Sequence, residues 1–173
     1  MPRRRYYRRY TRVVAPKKKW ASNLVSGTIG TAGSGQALYI DLVGNSTQAA
    51  SPTPVIVKAG NFKVQGDAFV DTRAGGQATI ISAQLFILYC PEGVNTNLDQ
   101  VITQHPEWVM AWTTLDLPIT NAVAVASGSR FTLSSRLKRN LNSGDRIRIV
   151  IRGGGENNII VCHFTAQYFT CAN

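Results

Sequence analysis

Residues 145–170 read DRIRIVIRGGGENNIIVCHFTAQYFT, and two alternations in this stretch point to β-structure. Over 159–170 the even positions Ile160, Cys162, Phe164, Ala166 and Tyr168 are mainly apolar, whereas the odd positions include His163, Thr165 and Gln167. Over 145–152 the apolar residues are the odd ones, Ile147, Ile149 and Ile151, with Arg146, Arg148 and Arg152 on the other side. Successive side chains of a strand point to opposite faces, so each segment offers one core face and one polar face. The GGGENN run at 153–158 predicts that the two strands form a hairpin.

Working outward, 130–139 follows the same rule: Phe131, Leu133 and Leu137 alternate with Arg130, Thr132, Ser134, Arg136 and Lys138. Further candidate strands lie at 36–43, 55–58, 62–71, 78–90 and 107–113, broken by Gly, Pro, Asn and Ser clusters. A short helix is expected over 97–104, capped by Asn97, with Leu98, Val101 and Ile102 on one side and Pro106 ending it. If 107–113 is extended, Trp108, Met110 and Trp112 share a face, which reads as core. Short strands, little helix and no βαβ alternation predict an all-β chain, a two-sheet sandwich or barrel; the jelly roll is the eight-stranded member of that set. The pattern alone does not choose its topology.

Charge divides the chain. Arg3, Arg4, Arg5, Arg8, Arg9, Arg12, Lys17, Lys18 and Lys19 all fall in the first twenty residues, where there is no acid, and the remainder is nearly neutral. Like charges at this density repel and cannot collapse into a core, so 1–20 is expected to be a disordered basic arm in need of a polyanion. It lacks the hydrophobic helical face of a membrane-surface anchor. Tyr6, Tyr7 and Tyr10 are interleaved with the arginines. Rings that stack on unpaired bases beside guanidiniums that bridge phosphates suit single-stranded nucleic acid. Nuclear import is a compatible second use of the run, with host import receptors as partners. Residues 21–35, rich in Gly, Ser and Thr, read as a linker, and 36–173 as one folded domain.

A second basic group runs from Arg130 to Arg152, where Arg136, Lys138, Arg139 and the row Arg146, Arg148 and Arg152 are accompanied by a single acid, Asp145. An arginine row on one sheet face repels itself unless phosphates, acids of a neighbouring subunit, or solvent offset it.

Catalysis has no visible foothold. The acids are scattered, no serine elbow or HExxH occurs, and the glycines at 27, 30, 33 and 35 lack the strand, helix and Gly-Lys-Ser/Thr of a phosphate loop. The expectation is a non-enzyme without cofactor or metal: His105 beside Pro106 and His163 on an outer face read as structural or surface residues. Cys90, Cys162 and Cys171, odd in number and widely spaced, read as free thiols in a reducing compartment. No secretory signal and no membrane span is expected, because no long apolar run occurs. The sequon at Asn45, Ser46 and Thr47 is expected to be a coincidence.

Several strings together carry a likeness. MPRRRYYRRY at 1–10 resembles the start of coat proteins of circoviruses and related small viruses whose circular single-stranded DNA genomes encode a replication initiator. FKVQGDAFV at 62–70, LYCPEG at 88–93, HPEWVMAW at 105–112, FTLSSRLKRNLNSGD at 131–145 and QYFTCAN at 167–173 resemble coat proteins of unclassified members of that assemblage. The resemblance implies one jelly roll per subunit, a homo-oligomer of sixty subunits in an icosahedral shell, and the arm turned inward onto viral single-stranded nucleic acid, DNA in preference to RNA. It also implies the virion as location, and the host nucleus during assembly. The chain departs from the circovirus pattern in being shorter, with an arm of only about twenty residues. Two other readings compete: the coat protein of a satellite-like RNA virus, and a cellular β-barrel that binds single-stranded nucleic acid.

Overall fold

A computed structural model of the chain describes residues 19–31, 37–46, 55–71, 81–94, 98–117, 128–153 and 159–172. Among these are eight strands: β1 (Ala21–Gly30), β2 (Leu38–Gly44), β3 (Val57–Asp71), β4 (Ile81–Cys90), β5 (Val109–Leu117), β6 (Ser129–Leu141), β7 (Arg146–Gly153) and β8 (Ile159–Ala172). One helix, α1 (Leu98–Gln104), and a 3₁₀ turn (Pro106–Trp108) lie between β4 and β5. The strands form two four-stranded sheets, ordered β1-β8-β3-β6 and β2-β7-β4-β5, with every pairing antiparallel. First strand pairs with last, second with seventh, third with sixth and fourth with fifth, as if one long hairpin had been rolled up. This nesting is the jelly roll.

The core follows the alternation. Ile147, Ile149 and Ile151 of β7 are fully buried together with Ile160, Cys162, Phe164 and Ala166 of β8, and Phe62, Val64 and Ala68 of β3 complete the middle. A smaller cluster covers the outer side of the other sheet, where Leu98 and Val101 of α1 sit on Phe86, Leu88 and Val150. The helix is where its pattern places it; Asn97 lies outside the described residues.

Five local expectations are corrected. Residues 21–30, read as linker, are strand β1, in register with β8 from Ala21 opposite Thr170 to Gly30 opposite Val161. Its pattern misleads because the inward positions include Asn23 and Gly27, while Leu24 points outward and is 70% exposed. Backbone pairing and the two apolar inward residues, Val25 and Ile29, hold this edge strand. The separate strands expected at 55–58 and 62–71 are one strand, β3, bent by a bulge between Gly60 and Phe62 at which Asn61 takes a left-handed φ of 55°. β7 and β8 do not form a hairpin: they belong to different sheets and face each other across the core. Leu137 is 50% exposed rather than core, since it lies where the register with β3 shifts between Gly60 and Phe62, while Ser135 just before it is buried and donates to the Met110 carbonyl at 2.9 Å. Trp112, read as core, is 59% exposed, because it stands opposite Phe86 on the outer face, in alternation with Leu115 and Leu117, which are buried on the inner one, and a register shift between Ile87 and Leu88 turns Met110 inward instead.

Three of the strings quoted above meet at one corner. The buried Asp145 carboxylate accepts from the Tyr89 hydroxyl at 2.8 Å and from the backbone N–H groups of Asn142 and Glu92 at 2.9 and 3.1 Å. Burial, and then the bond to Asp145 and its negative charge, push the Tyr89 hydroxyl up to about 12. Trp108 meets Tyr89 edge-on at 6.4 Å and stacks on His105 at 4.0 Å, while Arg139 covers Tyr89 at 5.4 Å and donates to the Glu107 carbonyl. The sequon residue Asn45 is buried in the same corner and donates its amide hydrogens to Val55 and Leu141 carbonyls at 2.7 and 2.9 Å, so it offers no free amide for glycosylation. The three cysteines are buried and none is in a disulfide, and burial pushes Cys162 up to about 12.

Phe164 has a glycine opposite it on each side, Gly27 on β1 and Gly66 on β3. A Cβ on Gly66 would lie 1.9 Å from the His163 carbonyl oxygen, a backbone atom that cannot move aside. Gly66→Ala is expected to cost about 3 kcal/mol or more, lowering the melting temperature by roughly 6–12 °C for a domain of this size. A calorimetric scan within 2 °C or so of wild type would refute the close approach.

Candidate nucleic-acid interface

Arg3, Arg4, Arg5, Tyr6, Tyr7, Arg8, Arg9, Tyr10, Arg12, Lys17 and Lys18 lie outside the described residues; Lys19 and Trp20 show where the arm joins the body. Lys138 Nζ lies 5.2 Å from the centre of the Trp20 indole. Lys138 is an exposed residue of β6 and pairs with Gly60 of β3, on the face that carries Phe169 of β8. Gly60 leaves room for it: a Cβ there would stand 2.6 Å from Lys138 Cγ. The chain therefore enters the sandwich across the outer face of the β1-β8-β3-β6 sheet.

That face is polar and cationic at one side. Lys63 of β3 and Arg130, Arg136 and Lys138 of β6 are all exposed there, and Asp67 lies 3.5 Å from Arg130 in an ion pair whose partners both remain largely in water. Such a pair contributes little to stability and opens readily. Lys63 and Asp67 were not singled out in the sequence, because isolated charges on a strand carry no periodic signal; their positions on one face follow only from the register.

The row Arg146, Arg148 and Arg152 occupies the other sheet, and its charge is met within the chain. Asp41 Oδ2 lies 2.7 Å from Arg146 and Asp41 Oδ1 2.7 Å from Arg148, while Asp99 Oδ1 lies 2.8 Å from Arg152. This corrects the expectation that phosphates, a neighbouring subunit or solvent alone offset the row: the acids sit on β2 and α1, far away in sequence. Arg148 is only 1% exposed, donates also to the Val94 carbonyl at 3.1 Å, and stacks on Tyr39 at 4.1 Å. Burial acts to lower its pKa, but the bond to Asp41 and the neighbouring Cys90 and Tyr39 more than offset this, and the net direction is upward. Arg148 thus ties β2 and the segment after β4 to the sheet.

Between the short side chains of β1, β8 and β3, the outer face of the first sheet holds a groove of about 510 Å³. Gly27, Gly66 and Phe164 form its floor, and Ser26, Thr165 and Gln65 make one cross-strand row. The second row is Thr28, His163 and Asp67. Thr28 Oγ1 and His163 Nδ1 are 2.8 Å apart, and the imidazole packs against Phe69 with ring centres at 5.3 Å. His163 was read as an outer-face residue, as it is; the groove was hidden because one of its walls was read as linker. Among the described residues, no group of three or more His, Cys, Asp or Glu side chains is placed to hold a metal ion, and no helix is long and apolar enough to cross a membrane.

No protein-family model matches this chain, and no curated protein does. What fold and site define is thus a class: a jelly-roll polypeptide with a cationic leader attached across one sheet.

Asp41→Ala leaves the Arg148 guanidinium buried without its carboxylate and is expected to cost about 2–3 kcal/mol, the partial exposure of Asp41 keeping it below the usual figure for a broken buried pair. Adding Arg148→Met should restore most of that in urea unfolding. An Asp41→Ala protein as stable as wild type would show the pair to be without weight.

Proposed function

We propose that the chain is a capsid subunit that self-assembles into a small icosahedral shell and packages single-stranded nucleic acid, circular DNA by the resemblance of its sequence, through the basic arm. The observation that carries this reading is the joint occurrence of the nested eight-strand sandwich with a leader of nine cationic residues attached across the outer face of one sheet. The two parts divide the work. Outer faces, edges and loops of the sandwich form the contacts between copies; Trp112 and Leu24, large apolar residues left in water by the isolated chain, are the first candidates for burial there. The arm supplies charge without shape.

A sixty-copy shell would bring about 540 arm charges to the lumen, enough to neutralise a comparable number of phosphates by counterion release. Binding of this kind is insensitive to sequence and steeply dependent on salt. Nine phosphate contacts on a single strand correspond to a slope of roughly −6 in log affinity against log salt. The jelly roll is shared by capsid subunits, lectins and cupins, so the arm and the assembly, rather than the fold, distinguish the reading.

Deleting residues 1–18 keeps Lys19 and Trp20, the latter in contact with Lys138, and is expected to leave a folded sandwich. Affinity for a single-stranded 20-mer should then collapse, and the salt slope should fall to about −1. Electron microscopy of the full chain should show closed particles of one size. A monomer or dimer that binds the 20-mer through its body would favour the cellular module, and unchanged affinity after the deletion would remove the arm from the account.

A further inference from the structure

The groove across β1, β8 and β3 has the size of a ligand cleft: about 510 Å³, against roughly 300–1,000 Å³ for small-molecule sites. Its origin is a local shortage of side chain. Ser26, Thr28 and Thr165 are short and face outward, whereas Lys63 and Gln167 stand on one side in the register and Phe69 on the other. One wall is aromatic and braced, since the His163 ring is held by Thr28 at 2.8 Å and backed by Phe69 at 5.3 Å. A flat π-system can stack against such a wall. Polar edges converge on the same space: the Gln65 amide, which both donates and accepts, and the Asp67 carboxylate, which when ionised only accepts.

We infer that this groove seats a base of the single strand led onto the face by the arm, and that Asp67 makes it prefer bases bearing an exocyclic amino group over thymine or uracil. The inference rests on the nucleic-acid reading of the arm. Its direction follows from donor and acceptor counting. Cytosine presents an amino group at C4, whereas thymine and uracil present a carbonyl oxygen there, which a carboxylate repels. The cations fit the same occupant: Arg130 stands 3.5 Å from Asp67, and Lys63, Arg136 and Lys138 are exposed on the same face, within the path of a backbone that starts from Trp20. A neutral sugar would use the hydroxyls but has no need of that cationic side.

The test uses the full chain and two 20-mers, oligo-deoxycytidine and oligo-deoxyuridine, whose bases differ at C4 and in the proton on N3, read by fluorescence anisotropy over a range of salt. Wild type is expected to bind the cytidine strand about three- to ten-fold more tightly, the range of a single hydrogen-bond difference. Asp67→Asn, an exposed and isosteric change, should raise both affinities slightly by removing a negative charge and bring the ratio close to one, with the salt slope unaltered. Thr165→Tyr, which fills the groove from an exposed position, should abolish the ratio while leaving the arm's salt-dependent binding in place. Equal affinities for the two strands in wild type, or a preference that survives Asp67→Asn, would overturn the inference and leave the arm's role standing. Failure of wild type to bind either strand would overturn both.

Discussion

The inward face of β8 meets the inward face of β7 across the middle of the sandwich, and the rest of the molecule is arranged to keep that contact dry. Ile160, Cys162, Phe164 and Ala166 on one side and Ile147, Ile149 and Ile151 on the other belong to a single buried cluster. Burying each large side chain contributes roughly 1.5–3 kcal/mol by area. β7 and β8 are consecutive and both strongly two-faced, and the connection between them crosses from one sheet to the other, which sets their apolar faces against each other. The nested order of the strands extends this arrangement to the ends of the chain: β1 closes the outer side of β8, and β2 the outer side of β7.

Close approach is the second consequence. Gly66 stands beside Phe164 because the backbones of β3 and β8 lie too near one another there for a Cβ, and Gly27 stands on the other side because the Phe164 ring fills the space its side chain would take. The groove on the outside of the sheet lies over the same strands, where the outward residues Ser26, Thr28 and Thr165 are short.

Electrostatics separates the two outer faces. On the β2-β7-β4-β5 sheet the arginines are met by Asp41 and Asp99, and Arg148 is buried deeply enough to act as a tie between elements. On the β1-β8-β3-β6 sheet the basic residues stay in water, and Lys138 meets Trp20 where the leader arrives. The free positive charge of the body lies beside the junction with the most cationic segment of the chain.

Alternation along β6, β7 and β8 was legible in the sequence because a strand buried on one face must repeat every two residues, and the helix over 98–104 was legible from the spacing of Leu98 and Val101 and from its proline stop. The division between a cationic leader and a nearly neutral body is likewise a property of composition alone. β1 was not legible: with Leu24 outside, and Asn23 and Gly27 alternating with Val25 and Ile29 inside, it leaves no clear binary pattern. Nor was the fate of the arginine row, since Asp41 and Asp99 meet Arg146, Arg148 and Arg152 only after β2 and α1 have been brought to β7. Periodicity reports which way a residue points; which residue it faces is decided by strand order, and strand order is set by long-range closure of the sandwich, which no local stretch encodes.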